Sequence, residues 1–129
     1  MAFAVNVLRL IDRMPRTVAN EVIARQLAKS ATSVALNYRA TCNARSRAEF
    51  IARLGVVVEE ADESVCWLEI MNRRAARPSE ESLRLTGEGV ELRAIFARSL
   101  GTARANARGT SCVGPTERQR SESPVRSDQ

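Results

Sequence analysis

Apolar positions along the chain fall at the three- and four-residue spacing of helices that bury one side. Phe3, Val7, Leu8, Leu10 and Ile11 predict a short first helix from about Ala2 to Arg13. Pro15 ends it, because the residue before a proline is pushed out of the α region. Thr17 or Asn20 can cap a second helix over about Val18–Ala44, roughly 40 Å long at a rise of about 1.5 Å per residue. Asn43-Ala44-Arg45 reads as a turn. Ser46-Arg47-Ala48-Glu49 then matches a capping box, with Ser46 accepting from the Glu49 amide while Glu49 reaches back. A third helix follows over about Arg47–Arg74. After a loop at Ala75–Pro78, Ser79-Glu80-Glu81 places acids at the positive end of a fourth helix reaching about Ala105. Gly87 and Gly89 weaken its first turns by about 1 kcal/mol each relative to alanine.

At 100° per residue the second helix separates into three stripes. Ile23, Leu27, Ala31, Val34 and Tyr38 form the expected core face. Gln26, Ser30, Ser33 and Asn37 form a neighbouring stripe of small or amide side chains, suited to a close, hydrogen-bonded helix interface. Arg25, Lys29 and Arg39 lie on the far side, either as a contact surface for a polyanion or as a solvated outer face. On the third helix, Phe50, Leu54, Val57, Val58, Ala61, Val65 and Leu68 fall together as a core face. A second set, Val56, Glu60, Glu63, Trp67 and Ile70, lies away from it. An indole there points to a subunit contact, with packing on the first or fourth helix as the alternative.

Composition agrees with this all-α pattern. Apolar residues make up 44% but aromatics only 4%, which suits close helix packing better than a sheet. The 129 residues suffice for one core. We expect one bundle domain over 1–106 and a disordered basic tail over 107–129, where apolar content is too low to offset ordering entropy. Of the 20 basic residues, Lys29 is the single lysine and the rest are arginine, an excess that would suit phosphate contacts but follows more simply from a high-GC genome. The net charge of +5 is uneven: residues 1–58 sum to +6, residues 59–91 to −5 and residues 92–129 to +4. Such a chain can attract polyanions or copies of itself.

Catalytic chemistry finds little to build on. The chain has no histidine, and its three cysteines, Cys42, Cys66 and Cys112, lack CxxC spacing, so neither a metal nor a cofactor is expected. An odd, unframed cysteine count fits a reducing cytoplasm. Gly87-Glu88-Gly89 is no phosphate loop, and Glu59-Glu60-Ala61-Asp62-Glu63 is a helical acidic run without a partner base. The apolar start, interrupted by Asn6, Arg9 and Asp12, reads as neither a signal peptide nor a membrane span.

The run Gln26-Leu27-Ala28-Lys29-Ser30-Ala31-Thr32-Ser33-Val34-Ala35-Leu36-Asn37 resembles the signature of a bacterial four-helix bundle family, the 23S rRNA-intervening-sequence or S23 ribosomal protein family. Ala44–Ile51, Glu59–Ser64 and Trp67-Leu68-Glu69 extend the likeness over about Val5–Leu100. Many members carry a glutamate three residues after the signature asparagine, where this chain has Ala40. The resemblance implies an antiparallel up-down four-helix bundle that assembles as a homopentamer. One branch of the family, the accessory variability proteins of diversity-generating retroelements, binds nucleic acid and a reverse transcriptase.

Two functions follow as expectations. The first is a non-enzymatic oligomer that binds RNA or DNA through Arg25, Lys29, Arg39, Arg45, Arg47 and Arg53, with avidity from the ring and no membrane involvement. The second is a structural or protein-partner scaffold in which the basic stripe of one subunit meets the acidic flank of the next.

Overall fold

Four helices form where the apolar spacing places them: α1 (Ala2–Asp12), α2 (Val18–Cys42), α3 (Arg47–Arg74) and α4 (Glu80–Ser111). They are those of a computed structural model that describes residues 1–111. The disordered tail expected over 107–129 lies outside the described residues from Cys112 onward. Its first residues do not: α4 continues to Ser111, past the expected end near Ala105. Ala103, Ala105 and Ala107 in this stretch have high helix propensity, so the helix propagates where polar composition alone suggested a tail.

Local chemistry sets the helix starts. The Thr17 hydroxyl accepts from the Asn20 amide at 3.1 Å, and Ser79 accepts from the Ser82 amide at 3.1 Å. The capping box forms with one change of partner. Ser46 Oγ accepts from the Glu49 amide at 3.1 Å, but Glu49 reaches back to the Arg45 amide, at 2.9 Å, rather than to that of Ser46.

Each helix packs on the next, and α1 closes the ring against α4, with the α2–α3 and α3–α4 interfaces the most extensive. With short connections this is the up-down antiparallel bundle, in which α2 and α4 run the same way. Its core has two halves. Phe3, Val7 and Leu10 of α1 close one half over Leu27, Ala31, Leu68 and Leu85. The other half contains Val34, Leu54, Val57, Ala61, Phe96 and Leu100, contributed by α2, α3 and α4 alone. The reason is length: α1 has 11 residues against 25 in α2, so it spans about 16 Å of a bundle more than twice as long.

That shortfall corrects two expected core positions. Tyr38 is 47% exposed, because no fourth helix covers α2 at its level. Its ring lies over Phe96 with centroids 5.3 Å apart, as a partial lid on the three-helix half. Phe50 is 36% exposed, one turn from the start of α3 at the open end of the bundle.

The polar stripe of α2 divides likewise. Ser30 is buried, and its Oγ lies 3.0 Å from that of buried Ser64 on α3. Asn37, by contrast, donates within its own helix to the Ser33 carbonyl at 2.9 Å, and Gln26 and Ser33 are half-buried. Only Ser30 of this stripe makes a hydrogen bond between helices.

Gly89 lies at a close approach between helices. A Cβ there would stand 3.1 Å from Val65 Cγ2 and 3.4 Å from Phe3 Cζ, whereas one at Gly87 would meet open space. Gly87→Ala should therefore raise stability by up to about 1 kcal/mol through helix propensity. Gly89→Ala should gain less or destabilise, because buried Val65 has to move. Urea midpoints at constant m-value measure the contrast; an equal gain at both sites would contradict the close approach.

Candidate nucleic-acid interface

The antiparallel topology brings the C-terminus of α2, the N-terminus of α3 and the last turns of α4 to one end of the bundle. Arg39 and Arg45 come from α2 and its turn, and Arg47 and Arg53 from α3. Arg98, Arg104 and Arg108 come from α4. Within residues 38–53 and 96–111 these seven arginines face one carboxylate, Glu49, a balance of +6.

Glu49 is fully committed. Its Oε2 accepts from the Arg45 amide, and its Oε1 accepts from Arg53 Nε and Nη2, each at 2.9 Å. The Arg45 amide, and then the Arg53 guanidinium, hold its carboxyl below the usual glutamate range. Arg53 is thus partly neutralised. Arg39, Arg45, Arg98 and Arg104 make no side-chain ion pair among the described residues. A shallow hollow lined by Ala40, Asn43, Arg45, Glu49 and Arg53 lies beside the turn. Such a surface can engage phosphates by bidentate charge-assisted hydrogen bonds, and it offers no helix or ribbon shaped to read base edges.

The expected stripe on α2 is not one continuous surface. Arg25 and Lys29 lie in the first half of the helix, and Lys29 is about 15 Å along the axis from Arg39. Lys29 instead lies toward Glu60 of α3, where its charge partly opposes the rise that burial imposes on that carboxyl's pKa. Arg39, Arg45, Arg47 and Arg53 are thus brought together, and Arg25 and Lys29 are not. Arg98, Arg104 and Arg108 stand toward the same end on α4; Arg104 and Arg108 were expected only as part of a basic tail, and Arg98 not at all. Their signal was an alanine- and arginine-rich run with good helix propensity, masked by glycine and threonine beside it.

The expected subunit-contact set also divides. Trp67 is half-buried and packs against the core cluster that α1 closes, and its Nε1–H points at Glu63 Oε1, 3.4 Å away. Its buried part thus packs within the chain, and the rest of the ring stays at the surface. Val56 and Ile70 are 38% and 45% exposed, and Glu63 is exposed beside them. Glu60 is half-buried; burial raises its pKa first, the Glu63 and Glu59 carboxylates add to the rise, and Lys29 opposes it.

Among the described residues, no group of histidine, cysteine and carboxylate side chains is placed to hold a metal ion. No helix there is long and apolar enough to cross a membrane.

A family model described as "23S rRNA-intervening sequence protein" matches residues 1–98. Among solved structures, the chain is similar to a protein of unknown function from the S23 ribosomal protein family of Bacteroides thetaiotaomicron VPI-5482. The two are 26% identical with a TM-score of 0.67, over 77% of this chain and 92% of that one. No curated protein matches the chain.

A raised glutamate pKa means that the folded chain holds the Glu60 proton more tightly than the unfolded chain does. Ionisation of Glu60 therefore lowers stability as pH rises through the glutamate range. Glu60→Gln should be more stable than the parent at pH 7, with the difference vanishing on acidification as the parent carboxyl protonates. Thermal melts from pH 3 to 7 would test this; a difference that grew toward acid pH would contradict it.

Proposed function

The chain belongs to the 23S rRNA-intervening sequence protein family, and from that premise we propose that it is a non-enzymatic, oligomeric nucleic-acid-binding protein whose contact surface is the basic end of the bundle. The observation that carries this is the charge of one end of the bundle: residues 38–53 and 96–111, from three helices, hold seven arginines and a single carboxylate that is already engaged. Guanidinium groups at a helix end bind phosphate through fixed forks and release counterions from a polyanion, which favours binding without regard to sequence. In a homopentamer the same patch would occur in five copies, and avidity would multiply a weak contact. RNA is the natural first ligand for a member of a family described by rRNA.

A second reading has one observation in its favour. The longer-range attraction of Lys29 on basic α2 for Glu60 on acidic α3 acts here within one chain. Repeated between chains, it would spend charge on assembly, and the partner would then be a protein.

A salt titration separates the two. Binding of a structured RNA and of a duplex DNA of equal length is followed while light scattering reports the oligomeric mass. We expect log affinity to fall linearly with log salt while the oligomer persists. Charge reversal at Arg45 and Arg104 together should weaken binding and flatten the slope by about one for each phosphate no longer neutralised. The same reversal at Arg25 should do little. No binding at low salt with an intact oligomer would refute the nucleic-acid reading and leave the scaffold.

A further inference from the structure

The opposite end of the bundle holds a cleft of about 730 Å³ between the α1–α2 and α3–α4 connections. This volume lies in the usual range of small-ligand and peptide-anchor sites, about 300–1,000 Å³. Leu10, Met14 and Met71 contribute apolar surface, and Pro15 and Pro78 stand in the two connections that border it. Leu10 is buried and both methionines are half-buried.

The polar side chains of this cleft are almost all satisfied internally. The Asn20 amide donates to the Pro15 carbonyl at 2.8 Å, and Thr17 and Ser79 are occupied as helix caps. Asn72 donates to Thr86 Oγ1 at 2.9 Å and accepts from the Ser82 hydroxyl at 2.6 Å. Glu81 is held by Arg13 at 2.8 Å. Arg74 and Arg77 are the exception: both line the cleft, both are exposed, and neither has a hydrogen bond or an ion pair among the described residues. The acids in the first turns of α2 and α4, Glu21, Glu80 and Glu81, already offset the helix dipoles, so the attraction for an anion comes from the two arginines.

We propose that this cleft is a docking site for an acidic peptide segment of a partner protein, with an aliphatic or aromatic side chain anchored on Leu10, Met14 and Met71 and carboxylates paired with Arg74 and Arg77. Charge complementarity selects the acid, since unengaged guanidinium groups bind carboxylates bidentately. The methionines select the anchor: a flexible thioether surface adapts to varied apolar side chains. The absence of tyrosine, phenylalanine and tryptophan from the lining removes the stacking platform that a nucleic-acid base would use. The site therefore differs in chemistry and position from the arginine-rich end.

Methyl NMR of the full chain, labelled at its three methionines, reads the site directly, because Met1 is 73% exposed and outside the cleft and so serves as the internal control. The probe is a capped Glu-Leu-Phe-Glu peptide at millimolar concentration, compared with capped Gln-Leu-Phe-Gln, tetraglutamate and a short oligouridylate. We expect the first peptide to shift the Met14 and Met71 methyls and leave Met1 unmoved. The double variant Arg74→Gln, Arg77→Gln should fold normally by circular dichroism and bind this peptide about tenfold more weakly, as the loss of two exposed charge pairs implies. Equal shifts with the glutamine peptide would make the cleft a merely apolar surface and overturn the proposal. Equal shifts with tetraglutamate or oligouridylate would make it a general polyanion site and also overturn it. No shift of Met14 or Met71 with the first peptide at millimolar concentration would do the same.

Discussion

The fold depends on how closely α2 can approach α3. At their centre the facing side chains are small, Ser30 and Ala31 against Ala61 and Ser64, all essentially inaccessible to water. The two hydroxyls lie 3.0 Å apart, and each also reaches a carbonyl of its own helix: Leu27 at 3.2 Å and Glu60 at 2.8 Å. Two serines can occupy a core only on those terms, because a buried hydroxyl without a partner costs about 1–3 kcal/mol. No buried side-chain nitrogen or oxygen among the described residues is left without one. The pair thus forms a narrow spine of satisfied polar atoms and alanines, and larger residues above and below it, Leu27, Leu54, Val57 and Leu68, interlock only because the axes are already close.

The outer helices bind to this spine unequally. Short α1 covers one half, where Gly89 lets Phe3 and Val65 reach the surface of α4. Ion pairs Arg13–Glu81 and Arg93–Asp62 tie α4 to α1 and α3, but both are largely exposed and each contributes little, of order 0–1 kcal/mol. The other half has three helices and a tyrosine lid. Burial is therefore concentrated near α1, while the three-helix end, where less apolar packing is at stake, carries arginines with a single carboxylate among them and so a higher net positive charge.

The two ends offer different chemistry from similar raw material. The end that holds the α2–α3 turn carries seven arginines and a single, engaged carboxylate. At the loop end, two unpaired arginines stand over a methionine-lined cleft. An up-down bundle produces this arrangement naturally: its ends gather residues far apart in sequence, and its sides expose whatever the heptad-like spacing leaves outside. The acidic run of α3 lies along the side, between the two ends.

Much of this was legible in the linear sequence. The boundaries of α3 and the starts of α1 and α2 follow from local signals: apolar spacing, Pro15, and the hydroxyls of Thr17 and Ser46, each acting within a few residues. The core residues Leu27, Ala31, Leu54, Val57, Val65 and Leu68 follow from period alone, since a helix has one direction in which to bury a stripe. Tertiary structure decided the rest. It made Ser30, and not Asn37, the interhelical hydrogen bond, because only Ser30 faces a hydroxyl on α3. It packed part of Trp67 against the core that α1 closes, uncovered Tyr38 where α1 ends, and brought Arg98, Arg104 and Arg108 to the same end of the bundle as Arg39 and Arg45. Periodicity fixes the angle of a residue around its own helix, whereas its neighbours depend on how far each other helix extends, and that is settled only when the four are packed together.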